Sequence, residues 1–174
     1  MSKLRVPVTK QDHQAGNLKA LITLIEYGDY QCPHCGIAYP FVKKLLKEFG
    51  ADILFVFRNF PIPESHPEAM ISAQAAEAAG RQNKFWEMHD LIYEHQTRLS
   101  KSFLIKTAEN LHLTKDQFLS DLESEEIINK IEDDFDGGVT SGVNGTPSFF
   151  LNGNRLNTYD ESYESLAEAM AALK

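Results

Sequence analysis

Leu21-Ile22-Thr23-Leu24-Ile25-Glu26-Tyr27-Gly28-Asp29-Tyr30-Gln31-Cys32-Pro33-His34-Cys35 is the stretch on which the fold turns, and it holds the only two cysteines among 174 residues. The apolar run from Leu21 to Tyr27 reads as a buried strand. After the cysteines, Ala38, Phe41, Val42, Leu45, Leu46 and Phe49 recur at i, i+3, i+4, i+7, i+8 and i+11, the spacing of a helix with one apolar face. The junction puts Cys32 near a helix N-cap, with Pro33 at the favoured first helical position. Unpaired backbone N–H groups and the positive end of the helix dipole stabilise a thiolate there. The position suits redox chemistry.

Three other readings stand beside it. As a staple, so small a ring contributes only about 2 kcal/mol before strain, and stapled secreted domains carry several bridges over longer loops. As half of a tetrahedral zinc site, the pair needs two more ligands, yet His89 and His95 are six apart and fall on different faces of one helix. As inert thiols, the two have no reason to flank a proline at a helix start.

The remaining composition sets bounds. Charged residues make up 24% and hydrophobic ones 43%, values usual for a globular domain with its own core. A net charge of −8 argues against nucleic acid or an anionic membrane surface as partner. No apolar stretch approaches 18 residues, so no membrane insertion is expected. Met1 to Ala20 has no apolar segment of the signal-peptide kind, which points to the cytoplasm, or to the periplasm or another extracytoplasmic place if a leader has been removed.

The order of patterns gives the organisation. A helix from Cys32 to Phe49, with Gly50 in the C′ role, leads to a second apolar run, Ile53 to Phe60, which Pro61 and Pro63 end. Strand, helix, strand within forty residues implies a right-handed parallel βαβ unit. Five helical patterns follow. One starts at Ser65 with Pro67 and ends at Gly80, a second starts at Asn83 and a third at Ser102. A fourth opens on a Thr114/Gln117 capping box, and a fifth runs from Ser124 to about Phe135. Ser148 to Leu151, the turn Asn152-Gly153 and Asn154 to Leu156 read as a hairpin, and Ser162 to Leu173 as a last helix. The expected fold class is α/β: one domain over residues 1–174, with a mixed four-stranded sheet flanked by helices. The sheet module spans 20–60 and 139–174, and a helical insertion occupies 61–138.

Four pieces make the chain resemble the DsbA-like branch of the thioredoxin superfamily. They are Ile25 to Gly36, Phe57-Arg58-Asn59-Phe60-Pro61, Gly80 to His89 and Gly142 to Gly153, in that order along the chain. Asn157-Thr158-Tyr159, after the hairpin, departs from the glycine-containing loop of relatives. The resemblance implies a thioredoxin fold interrupted by helices, and a thiol–disulfide oxidoreductase that needs no cofactor or metal beyond its own cysteine pair. It implies Cys32 as nucleophile, Cys35 as resolving thiol, and His34 as a group favouring the thiolate. It implies a cis bond between Thr146 and Pro147, in a loop that faces the cysteines and receives an extended substrate peptide.

Glu26 lies in phase with Ile22 and Leu24, so its carboxylate is expected to point inward, where burial raises its pKa and lets it relay the Cys35 proton. Arg58 is expected either to pair with Glu26 or to cap the second strand in solvent. Phe85, Trp86 and Met88 read as core of the helical block. The partners expected are protein or small-molecule thiols and disulfides and a further redox partner of unidentified kind. A reductase or glutathione-linked enzyme of the same fold is the nearest alternative. From another class, a peptide-binding or chaperone-like module would leave the cysteines incidental.

Overall fold

Strands β1 (His13–Gly16), β2 (Ile22–Gly28), β3 (Ile53–Asn59), β4 (Ser148–Leu151) and β5 (Asn154–Arg155) form one mixed sheet in the computed structural model, which describes residues 2–173. Their order across the sheet is β1-β3-β2-β4-β5. β2 and β3 are parallel, with Glu26 opposite Phe57, while β4 runs antiparallel to β2 and sets Phe149 opposite Glu26. Helix α1 (Pro33–Phe49) makes the crossover from β2 to β3. Helices α2 (Ala69–Gly80), α3 (Phe85–Glu94), α4 (Lys101–Asn110), α5 (Lys115–Leu122) and α6 (Glu125–Thr140) lie between β3 and β4, and α7 (Tyr163–Ala171) ends the chain.

Strand alternation divides the core in two. Ile22, Leu24, Phe55 and Phe57 face one layer with Ala38, Val42 and Leu45 of α1 and Met88 of α3. Ile25, Tyr27, Leu54, Val56 and Phe150 face the other, with Phe60. Each fully buried aliphatic or aromatic side chain contributes about 1.5–3 kcal/mol of transfer free energy, so a one-residue slip of β2 would be very costly. Phe85 and Met88 are core and Trp86 packs against it.

The sheet has five strands, not four. β1 reads His-Gln-Ala-Gly and has no hydrophobic period of its own. It pairs antiparallel with β3 because tertiary contacts hold it: His13 stacks on Phe85 with ring centroids 3.4 Å apart, its Nε2 lies 2.8 Å from Glu77 Oε2, and Trp86 donates from Nε1 to the Gln14 carbonyl.

Helix ends differ from the sequence reading in similar ways. Ser65 and His66 donate their N–H groups to Ile62 O in a turn, and α2 begins only at Ala69. Asn83 takes a left-handed φ of 60° before α3, a conformation asparagine tolerates. The cap of α4 is Ser100, whose Oγ accepts from Phe103 N, rather than Ser102. Thr114 stands at the N-cap of α5 without a capping box, since its N–H donates to Gln82 Oε1. Gly50 closes α1 in a right-handed conformation. α6 continues past Phe135 through Gly137 and Gly138, because a Cβ on Gly138 would come 2.7 Å from the Phe60 ring. The glycine pair that resembles a stop is a close-packing seam. Asn152 and Gly153, at φ 48° and 78°, make the hairpin turn. Ser162 caps α7 by accepting from Ser165 N.

Candidate active site

The turn from β2 into α1 sets two sulfurs in unlike surroundings. Cys32 is the N-cap residue, in extended conformation, and Pro33 opens the helix. Both cysteines are free thiols, and both are buried: Cys32 keeps 3% of its surface and Cys35 none. Cys32 is therefore buried although it stands at the helix start.

Cys32 Sγ donates to the carbonyl oxygen of Thr146 at 3.4 Å. The Thr146–Pro147 bond is cis. The thiol of Cys32 is pulled down to about 5, first by a hydrogen bond from the Cys35 thiol; burial opposes the shift, and Thr146 and the backbone N–H groups of Cys35 and His34 add to it. The Thr146 hydroxyl is buried without a partner while the sulfur is protonated, which leaves it free to donate to a thiolate. Cys35 is pushed the other way, well above the ordinary thiol range, by burial, by its bond to Cys32 and by the charge of Glu26.

Glu26 is buried on the cysteine side of the sheet, and its Oε1 has no hydrogen-bond partner. Burial, and then the nearby Cys32 thiolate, raise its carboxyl to about 8. A cavity of about 150 Å³ reaches Glu26 between α1 and α3, past Tyr39, Val42 and His89, with Lys43 and Asp90 also lining it. Arg58 does neither of the things expected of it. It is buried, and its guanidinium binds Asp12 through Nε at 2.7 Å and Nη2 at 3.1 Å, and also the Tyr27 hydroxyl and the carbonyls of Val6 and Pro7. Arg58 sits on the Tyr27 face of the sheet, opposite to that of Glu26, and the N-terminal segment takes up its charge, so it does not pair with Glu26.

The His34 ring is 57% exposed, and its Nδ1 lies 2.7 Å from Glu161 Oε1. It is the backbone N–H of His34, rather than its ring, that reaches the Cys32 sulfur.

A family model described as thioredoxin matches residues 8–172. The chain belongs to the thioredoxin family. A thioredoxin-like oxidoreductase from Silicibacter pomeroyi superposes with a TM-score of 0.84 at 24% identity, over 95% of this chain and 93% of that one. BdbD from Bacillus subtilis superposes with a TM-score of 0.85 at 22% identity, over 98% and 96% of the two chains. The fold is shared with alpha-DsbA1 of Wolbachia pipientis, which superposes with a TM-score of 0.79 at 21% identity, over 98% of this chain and 94% of that one. In sequence, this thioredoxin-family chain is 46% identical over 153 residues to a Na(+)/H(+) antiporter NhaA 1 of Salinispora arenicola, covering 87% of this chain and 23% of the relative. A second NhaA 1, from a Mycobacterium species, is 36% identical over 148 residues. The chain spans about a quarter of the length of these curated relatives, so their name describes proteins that extend far beyond the shared region.

Two residues that hold the cysteine turn escaped the sequence reading. Asp29 is buried and ties the cysteine turn together: its Oδ1 accepts from the N–H groups of Gln31 and Cys32, and its Oδ2 from Ile62 N, with His66 Nδ1 at 2.8 Å. An aspartate two and three residues before the groups it binds is the spacing of an Asx-turn, so a signal was present. Gln96, in the single 3₁₀ turn Gln96–Arg98 before α4, donates from Nε2 to the carbonyls of Tyr30 and Cys32 at 2.8 and 3.0 Å. Gly36 makes room for it, since a Cβ there would fall 2.1 Å from Gln96 Oε1. Nothing local in the sequence marks a glutamine sixty residues downstream.

Proposed function

We propose that the domain is a thiol–disulfide oxidoreductase acting through Cys32 and Cys35. The observation that carries this reading is the placing of two free thiols three residues apart in unlike surroundings: Cys32 at the helix start with its Sγ 3.4 Å from the Thr146 carbonyl before a cis proline, and Cys35 one turn further on and fully buried. The pair needs no cofactor or metal. In the reducing direction the Cys32 thiolate attacks a sulfur of a substrate disulfide, forming a mixed disulfide and releasing one substrate thiolate. Cys35 then loses its proton to ionised Glu26 and attacks Cys32 Sγ; the Cys32–Cys35 disulfide forms and the second substrate thiolate leaves. Two electrons pass from the cysteine pair to the substrate. In the oxidising direction the same steps reverse, and protonated Glu26 returns the proton to Cys35. Thr146 and Pro147 are read as the edge against which an extended substrate lies.

Disulfide-bearing or thiol-bearing proteins, or small thiols such as glutathione, are the proposed substrates, and a separate redox protein restores the starting state. The sheet module, 20–60 and 139–174, is read as the carrier of the chemistry, and 61–138 as an insertion that clamps it. No helix of the described residues is long and apolar enough to cross a membrane. Compartment then decides direction: in the bacterial cytoplasm, glutathione would hold the pair mostly reduced and favour reduction, while an extracytoplasmic setting would favour oxidation.

Insulin reduction and glutathione exchange, run on the wild type and on Cys32→Ser, test the reading. Loss of both activities in the variant is expected. Activity that survives would move the function to a peptide-binding module in which the cysteines are incidental.

A further inference from the structure

The loop joining β5 to α7 reaches the cysteine turn and is rigidly built. Leu156 N donates to Phe149 O, and the Tyr159 ring meets Phe149 edge-on with centroids 4.9 Å apart. Asp160 Oδ1 accepts from the N–H and the hydroxyl of Ser162, which in turn caps α7. Between these anchors Glu161 takes a φ of 65°, a left-handed conformation unfavourable to a residue with a side chain. Its carboxylate is aimed at the ring of His34, with Oε1 2.7 Å from Nδ1. A backbone outlier that aims a charge at a residue between the two cysteines calls for a functional reading.

We propose that Glu161 is a positioning residue that sets the redox poise of the Cys32–Cys35 pair, by holding the His34 imidazole to itself and so keeping the ring N–H from the Cys32 sulfur; this rests on the thiol–disulfide reading. A ring free of Glu161 would lie within the reach of a backbone whose own N–H already touches the Cys32 sulfur. An N–H of the released ring, donated to the sulfur, would then favour the reduced form, in which Cys32 is a thiolate, over the uncharged disulfide. Glu161 acts as a brake on oxidising power. The groups around the sulfur are then the Cys35 thiol, the Glu26 carboxyl, Thr146 and, held back by Glu161, the His34 ring, so releasing that ring is felt at Cys32.

The test is a double-mutant cycle over Glu161→Gln and His34→Ala, with two readouts. In glutathione equilibration, Glu161→Gln should shift the equilibrium toward the dithiol form roughly two- to fivefold, the range of a partly exposed ion pair. In titration of the thiolate absorbance, which needs no turnover, the same variant should ionise Cys32 at lower pH. Both shifts should fall to less than half in the His34→Ala background. Glu161→Gly, which relieves the left-handed backbone, should be at least as stable as the wild type and show the same redox shift. A Glu161→Gln protein with unchanged thiolate titration overturns the proposal, and so does a shift that persists undiminished without His34. If the wild type itself fails to exchange with glutathione while the titration shift is present, it is the oxidoreductase reading that falls.

Discussion

The surroundings of Cys32 and of Cys35 differ more than their separation along the chain suggests. Cys32 ends a strand, meets the N–H groups of a helix start and faces the Thr146 loop; Cys35 lies one turn further on, against the sheet and Glu26. In the first place donors outweigh burial and the thiol is lowered to about 5; in the second burial dominates, and both Cys35 and Glu26 resist ionisation. Identical side chains acquire separate tasks through what a single helical turn puts around them. Exchange needs that inequality, because a thiolate must be ready to attack while its neighbour waits.

Breaking the inequality outright gives the largest effect. Cys32→Ser should reduce turnover by several orders of magnitude, since no attacking sulfur remains. Cys35→Ser should keep the first step and accumulate mixed disulfides, visible as higher bands on non-reducing gels of protein incubated with a disulfide substrate. Trapping by Cys32→Ser instead would exchange the two roles.

Glu26 is the next point of leverage, and the sign follows from its raised pKa. A carboxyl at about 8 in the folded chain and 4.5 in the unfolded one favours folding fully below 4.5 and loses that contribution as pH rises toward 8. Glu26→Gln removes the titration. Relative to the variant, the wild type should lose about 3 kcal/mol of stability between about pH 5 and 7.5, at 1.36 kcal/mol per unit. Urea unfolding at several pH values measures this, and parallel curves for the two proteins would mean that Glu26 is solvated. The same shift predicts that wild-type resolution of mixed disulfides speeds up as pH rises through about 8, where Glu26 becomes a base, and that Glu26→Gln lacks this rise.

Much of this contrast was legible in the sequence, and what was not has a physical pattern. The phase of Glu26 with Ile22 and Leu24 located its carboxylate, because strand periodicity is a local signal with a period of two. The helix start at Pro33 and the Asn152-Gly153 turn were legible for the same reason. β1 was not, because an edge strand of His-Gln-Ala-Gly is specified by Phe85, Trp86 and Glu77 rather than by its own residues. Arg58 was assigned to Glu26 or to solvent because its partner, Asp12, lies 46 residues upstream in a segment with no pattern. Gln96 and Glu161 reach the site from loops, where side-chain direction depends on backbone turns that composition does not encode.

A smaller effect probes the Cys32 side. With that thiol at about 5, two units below pH 7, the reduced form is favoured by about 2.7 kcal/mol, and the reduction potential should stand roughly 60 mV above that of a pair with an unperturbed first thiol. Thr146→Val removes the unpartnered hydroxyl while keeping the shape. Hydrogen bonds to charged groups contribute about 1.5–3 kcal/mol, so the Cys32 thiol should rise by about one to two units and the potential should fall by about 30–60 mV. Glutathione equilibration and thiolate titration must move together here; a potential that falls without a thiol shift would place the effect on the disulfide instead.

The smallest effect separates tuning of the sulfurs from support of the loop that carries them. Gln96 donates to the carbonyls of Tyr30 and Cys32 and to neither sulfur. Those carbonyls carry the same charge whether the cysteines are thiols or a disulfide, so the bonds stabilise both states alike. A reduction potential changes only when a group stabilises one state over the other. Gln96→Ala should therefore cost about 1–2 kcal/mol in both redox forms, chiefly because the Tyr30 carbonyl loses a donor, and leave the potential within about 10 mV of the wild type. Denaturant titrations of the reduced and oxidised proteins supply both numbers. Unequal losses would mean that the helical block feels the redox state of the cysteines through Gln96, and the division between clamp and chemistry would have to be redrawn at that residue.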